Sequence, residues 1–307
     1  MNSIKNNNQS IRSAFGDTIF ELGSAMSNLY VVNVDLKTSL SLDKFANKFR
    51  SRFIECGVAE SNAAGIAAGL AKSGKTVFLT SFACFSPAIN WAVIKQSICY
   101  QNLPVIIVGS HAGLLSGDLG ATHQMLEDVA LMRTLPNMSV CAPIDANETT
   151  DIVKYLAKTI SPAYLRLVRP STPIVPKIKF TPGKSQIIQS GSDVTVLGYG
   201  PVLLQSLEIK NFKLEIINCS SIKPLDSETI LKSIKKTGRC LVIEDHQKNG
   251  GLGDAVANLI LSSGIKCKFI SLGVDNQFGQ SAKDWQTLYD HYGLAKKAII
   301  NAIKKLL

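Results

Sequence analysis

Along the chain, short runs of β-branched and aromatic residues alternate with longer runs in which apolar and polar positions mix. The short runs "NLYVVNVDL", "KTVFLTSF", "LPVIIVGSH", "MSVCAPID" and "SPAYLRLVRP" predict strands. Between them, "ESNAAGIAAGLAKSG", "SPAINWAVIKQSICYQN", "HQMLEDVALMRTL" and "ANETTDIVKYLAKTI" predict helices. Strand, helix, strand at this spacing implies a mostly parallel sheet covered by helices on both faces. Ligands of such sheets bind at the loops that follow the strands' C-terminal ends. "RPSTPIVPKIKFTPG", with four prolines in fifteen residues, predicts an extended linker. Beyond it the alternation resumes with "DVTVLGYG", "KLEIINCS", "RCLVIEDH" and "KCKFISLG". The expected organisation is α/β throughout. It comprises a disordered tail over 1–10, a first domain over 11–170, a linker over 171–189 and a smaller second domain over 190–307.

Composition narrows the class. Of 307 residues, 46% are hydrophobic and 18% charged, ample material for sizeable cores. No apolar run approaches the roughly 20 residues that span a membrane. The polar start "MNSIKNNNQS" has no signal-peptide core. Seven cysteines, irregularly spaced and without a CxxC pair, predict buried thiols in a reducing cytoplasm. The net charge of +10 comes largely from dispersed lysines with no nucleic-acid motif beside them. Neither nucleic acid nor membrane is therefore an expected partner. A positive cleft for sugar phosphates is one use for such charge, and a solvated surface is another.

Two features carry candidate chemistry. In "GVAESNAAGIAAGLAKSG", Glu60 opens a helix made almost wholly of small residues. Glycine costs a helix about 1 kcal/mol relative to alanine, so Gly65 and Gly69 predict close approach of another backbone. Glu60 itself is either a first-turn carboxylate favoured by the exposed N–H groups or a buried group that exchanges a proton. The second feature is a glycine-rich loop holding His111 and His123, two of the four histidines. With Asp118 they offer three ligands to zinc. As polar loop residues they need no ligand at all.

The motifs together resemble the C-terminal half of transketolases. "RFIECGVAES", with Arg52, Gly57, Val58 and Glu60, is similar to the family's R-x-x-x-x-G-V-x-E signature. Its glutamate contacts the pyrimidine of thiamine diphosphate in the family. "VVNVDLKTS" would set Asp35 near the cofactor and Ser39 toward a substrate phosphate. In "TSFACF", Phe82 and Phe85 would flank the pyrimidine. "GSHAGLLSGDLGATHQMLED" resembles the family's two-histidine loop, so His111 and His123 would face a ketose and relay protons with near-neutral pKa values. Thr122 and Gln124 would orient that loop, and Glu127 would cap the next helix. "YLRLVRP" would bring Arg169 to the phosphate, with Arg12 assisting. The resemblance runs from about residue 10 to the end. It implies a thiamine diphosphate-dependent transketolase, moving a two-carbon ketol unit between sugar phosphates.

The departures define the rest of the expectation. Many transketolases carry an acidic residue where "GDLGATH" has Leu119, so the substrate is left open. No "GDG" triplet occurs, although the family holds diphosphate and Mg²⁺ through that motif. The implied arrangement is a split enzyme, active only as a complex. This chain would contribute no metal ligand. A separate N-terminal subunit would bring the GDG motif and Mg²⁺, in a heterotetramer with two copies of each. Alternatives are a subunit like deoxyxylulose-phosphate synthase or the 2-oxoacid dehydrogenase beta chain, or a non-catalytic scaffold. In the second domain, Gly250, Gly251 and Gly253 of "EDHQKNGGLGDAV" precede a helix; they would serve either as a phosphate cradle or in assembly. His246 is either structural or the border of a neighbouring site.

Overall fold

The computed structural model describes residues 5–307. A seven-stranded sheet runs in the order Ser221–Lys223, Ser139–Cys141, Ala163–Arg166, Val105–Ser110, Thr76–Phe82, Leu29–Asn33 and Phe53–Glu55. Every pairing is parallel except that of Ser221–Lys223 with Ser139–Cys141. Val105–Ser110 is buried along its whole length, which is why it reads as a continuous apolar run rather than an alternating one. A five-stranded sheet follows, ordered Lys268–Val274, Arg239–Gln247, Val194–Gly198, Leu214–Asn218 and Gln186–Gln189. It too is parallel apart from Gln186–Gln189 at its edge. The predicted architecture of two mostly parallel, helix-covered α/β units is the one observed.

The two units share their cores. One apolar cluster joins Phe15, Phe78 and Ile106 of the first unit to Val196, Ile243 and Ile303 of the second. A buried polar network crosses the same junction. Arg166 Nε donates to Asp128 Oδ2 at 2.9 Å, Tyr164 OH donates to the same oxygen at 2.7 Å, and Arg166 Nη2 donates to the carbonyl of Asp245 at 2.7 Å.

The structure departs from the sequence reading in several places. Residues 5–10, expected as disordered tail, form a strand antiparallel to Ser171–Ile174, inside the expected linker; residues 1–4 lie outside the described residues. Pairing of this kind satisfies backbone N–H and C=O groups whatever the side chains, so the polar run "NNNQS" gave no sign of it. Ser221–Lys223 leaves the second unit to extend the first sheet. The helix expected over 123–135 is confined to Asp128–Arg133. In "SPAINWAVIKQSICYQN" only Trp91–Val93 is α-helical, followed by a π-helical Ile94–Cys99. The seven cysteines are free; four are buried and three partly so.

Candidate functional site

The site residues collect where the strands of the first sheet end. Glu60 opens the helix Glu60–Lys72, whose Ala63, Ala64, Ala67, Ala68 and Ala71 pack inward. Glu60 is 9% exposed, yet among the described residues its carboxylate takes no hydrogen bond. Its carbonyl accepts from Asn90 Nδ2 at 3.0 Å, which fixes the 83–90 turn against the helix start. Asn90 Oδ1 is buried with no hydrogen-bond partner among the described residues. Beside this buried polar pair, Val58 and Ile89 are 80% and 63% exposed. The wall is therefore one-sided, with apolar groups left facing outward.

An aromatic ladder adjoins it. Phe82 and Phe85 are stacked, with centroids 6.0 Å apart and planes at 16°. The His111 ring lies 3.9 Å from Phe82, and His123 meets Phe85 edge-on at 5.5 Å. His111 follows the strand Val105–Ser110 with φ of 57°, a left-handed conformation that a non-glycine residue adopts at some cost. Its Nδ1 shares a hydrogen bond with Ser110 Oγ at 3.0 Å. Burial, then the positive charges of Arg12 and Arg169 and the nearby His123, push its pKa down to about 3. This corrects the expectation of a near-neutral value: His111 is a neutral ring at physiological pH, a hydrogen-bonding group rather than a proton store. Thr122 Oγ1 pairs with His123 Nδ1 at 2.9 Å, and Gln124 is buried in the loop's base.

A cationic cluster lies within electrostatic reach of His111. Arg12 donates to the carbonyls of Ser39 at 2.7 Å and Arg169 at 3.2 Å, which brings together three residues far apart in sequence. Arg169 also donates to Ser116 O at 3.2 Å and is ion-paired with Asp118. Asp118 therefore turns to Arg169, away from the ligand set that zinc would require. Among the described residues, no group of three or more His, Cys, Asp or Glu could hold a metal. Arg166, three residues earlier, is buried against Asp128 while Arg169 is partly exposed, so the two serve different faces.

Asp35 is exposed at φ 57°, with its N–H donated to Glu55 Oε1 at 2.7 Å. Glu55 also accepts from Asn33 Nδ2 at 2.6 Å and Gly57 N at 3.1 Å, tying the Asp35 turn to the approach to Glu60. Sequence reasoning passed over Glu55; its position two residues before a positive-φ glycine in the signature was the available signal.

The second unit's glycine turn is not an open phosphate cradle. The buried Glu244 carboxylate already accepts from Leu252 N and Gly253 N, both at 2.8 Å, at the start of the helix Leu252–Ser263. A Cβ on Gly251 would fall 2.1 Å from Glu244 Oε2, so glycine is required there for contact with that side chain. His246 is structural: its Nδ1–H donates to Gln247 O at 2.6 Å, and Nε2 accepts from Ala130 N at 3.3 Å. Glu127 precedes the helix Asp128–Arg133 without capping it; its carboxylate accepts from Leu126 N at 3.0 Å.

Comparison with known proteins gives this geometry a setting. Residues 7–174 match the transketolase pyrimidine-binding domain, and residues 183–299 match the transketolase C-terminal domain. A curated relative from Methanocaldococcus jannaschii, provisionally named a transketolase C-terminal section, is 39% identical over 95% of each chain. One of the subunits of the apulose-4-phosphate transketolase of Phocaeicola vulgatus is 34% identical over 96% of each. A solved split-gene transketolase, an inactive β4 tetramer, is 37% identical, covers 97% of this chain and 98% of its own, and superposes with a TM-score of 0.88. Transketolase-like protein 1 of Macaca fascicularis is 32% identical, and the chain spans 51% of its length. These findings overturn the expectation that this chain is a thiamine diphosphate-dependent transketolase enzyme. The solved relative that this chain covers almost end to end is an inactive tetramer, and several longer relatives are named transketolase-like proteins.

Proposed function

The chain belongs to the transketolase family, as the C-terminal section of a split enzyme, and on that premise we propose that it supplies the pyrimidine-facing wall of a thiamine diphosphate site shared with an N-terminal subunit. The observation that carries this reading is the buried, unbonded Glu60 carboxylate at a helix start held to the 83–90 turn, which follows Phe82 and carries Phe85, the two rings being stacked. A flat nitrogen heterocycle fits between an aromatic pair and a group able to share a proton with a ring nitrogen. When bound, the cofactor supplies a carbanion equivalent for ketol transfer. Chemistry of that kind belongs to the assembled complex and not to this chain. Glu60 would hold a proton at the pyrimidine nitrogen, with Asp35 nearby, while Phe82 and Phe85 orient the ring. His111 and His123 would hydrogen-bond the hydroxyls of the ketose.

Arg12, Ser39 and Arg169 form an anion-binding corner, suited to the phosphate of a sugar phosphate. Leu119, a side chain without hydrogen-bonding groups, leaves the choice of sugar to the rest of the site. The diphosphate and Mg²⁺ fall to the partner's GDG motif. The expected assembly has two copies of each subunit about a two-fold axis. The outer face of Glu60–Lys72 suits that contact, because a Cβ built at Gly65 or Gly69 would meet nothing within 4 Å outside the helix among the described residues, leaving room for another backbone. Calorimetry tests the reading. The chain alone should bind thiamine diphosphate and Mg²⁺ weakly, and the mixed subunits tightly. Sub-micromolar binding by the chain alone, or Glu60→Ala leaving the mixed complex's affinity and cofactor spectrum unchanged, overturns it.

A further inference from the structure

The loop carrying both histidines is moulded by the second unit at four successive points. Leu114 N donates to Asp245 Oδ1 at 2.8 Å, and a Cβ on Gly113 would fall 2.2 Å from Asp245 Oδ2. Gly117 O accepts from Gln124 Nε2 at 3.1 Å and from Ala282 N at 3.4 Å. A Cβ on Gly120 would fall 2.4 Å from Ser281 Oγ. Leu126 O accepts from Gln247 N at 2.8 Å.

Gln124 is the joint between the two. Its side chain is 5% exposed, and Nε2 donates both to Gly117 O within the loop and to Gln280 O of the second unit at 2.9 Å. Its Oε1 is buried with no partner among the described residues and would lie 1.9 Å from any Cβ at position 279, so only glycine fits there. A buried amide bonded to two carbonyls of different segments fixes their spacing, because leaving either carbonyl unpaired is costly. His123 is its neighbour in sequence, and the N–H groups of both residues donate to Gly120 O, at 3.1 and 2.9 Å.

We propose that Gln124 is a positioning residue through which the second unit, at Gly279 and Gln280, sets the placement of His111 and His123. The C-terminal unit then acts on the site directly, beyond any part in assembly. The importance of this placement rests on the reading of the loop as substrate-facing. The test does not: it reads the histidine rings in the full chain without partner or cofactor. A failed cofactor-binding experiment leaves it standing, and its own failure leaves the shared-site reading standing.

Four histidines make ring carbon–proton NMR signals assignable by single replacement. Gln124→Leu and Gly279→Ala should each move the His111 and His123 signals and leave that of His246 in place. In a Gln124→Ala background, where the colliding amide is gone, Gly279→Ala should add no further shift. If Gly279→Ala fails to fold, Gln124→Leu alone decides. Unmoved loop histidines, additive shifts in the double variant, or a displacement of all four rings together overturns the proposal.

Discussion

Two of the four histidines, His111 and His246, are buried as neutral rings, burial being the leading cause in both and their charged neighbours differing. His246 lies within a hydrogen-bonded seam, where burial first of all pushes its pKa down to about 4. His111 is buried too, and the two guanidinium groups of Arg12 and Arg169 add to the effect, bringing it to about 3. An unfolded histidine titrates near 6.5. Between that value and about pH 3 the unfolded chain binds the His111 proton and the folded chain does not. The stabilisation is complete above pH 6.5 and is lost as pH falls, at up to about 1.4 kcal/mol per unit. His111→Gln removes that dependence. Its melting temperature should therefore gain on the parent protein's between pH 6.5 and 4. A constant difference across that range would show that His111 is not held neutral. A ring NMR titration should show His111 still neutral at pH 5.

At the scale of elements, carboxylates at helix starts do much of the joining. Asp145 caps Ala146–Leu156 by accepting from Glu148 N at 2.9 Å, and it also accepts from Val175 N of the inter-unit strap at 2.8 Å. Asp145→Ala loses a cap worth roughly 0.5–2 kcal/mol and leaves a buried N–H unpaired at roughly 1–3 kcal/mol. Urea unfolding should register about 2–4 kcal/mol; under 1 kcal/mol would mean that the strap holds without it.

Glu244 plays the corresponding part for Leu252–Ser263. Burial raises its pKa to about 7 against the bonds to Gly253 and Leu252 N–H that lower it. Because the folded value lies above the unfolded one, its contribution is full below about pH 4.5 and is lost as pH rises to 7. Glu244→Gln should thus be most destabilising near pH 5 and progressively less so toward pH 8. A deficit that grows with pH would show that the carboxylate is ionised in the fold.

Across the whole molecule, the Arg166–Asp128 pair joins units that also share an apolar core. Removing one member strands a buried charge. Arg166→Met should cost about 3–5 kcal/mol, while Arg166→Met with Asp128→Leu should recover much of it. Both proteins should unfold in one transition; two separate transitions would mean that the units fold independently. The outer face of Glu60–Lys72 belongs to the same scale. Gly65→Ala should stabilise the chain by up to about 1 kcal/mol, since a Cβ there meets nothing. Gly65→Leu should fold yet fail to pair with the N-terminal subunit in sedimentation. Normal pairing would remove this helix from the proposed interface.

What the sequence determined by itself was whatever local pattern encodes. The alternation of strand and helix runs was enough for two mostly parallel α/β units, because hydrophobic periodicity and turn residues act within a few positions of themselves. The same was true of the Glu60 signature, the Phe82–Phe85 pair and the two-histidine loop, whose residues are neighbours in the chain. The tertiary structure alone decided what depends on distant segments. It paired residues 5–10 with Ser171–Ile174, and it drew Ser221–Lys223 across to the first sheet. It also buried His111 and placed Arg12 and Arg169 within reach of it, which together lower its pKa, and it filled the glycine turn of the second unit with Glu244. Gln124 illustrates the division: the loop motif pointed to it, but its second carbonyl belongs to Gln280, 156 positions away. Backbone pairing and burial depend on which surfaces meet, and a linear pattern does not specify the meeting of remote segments.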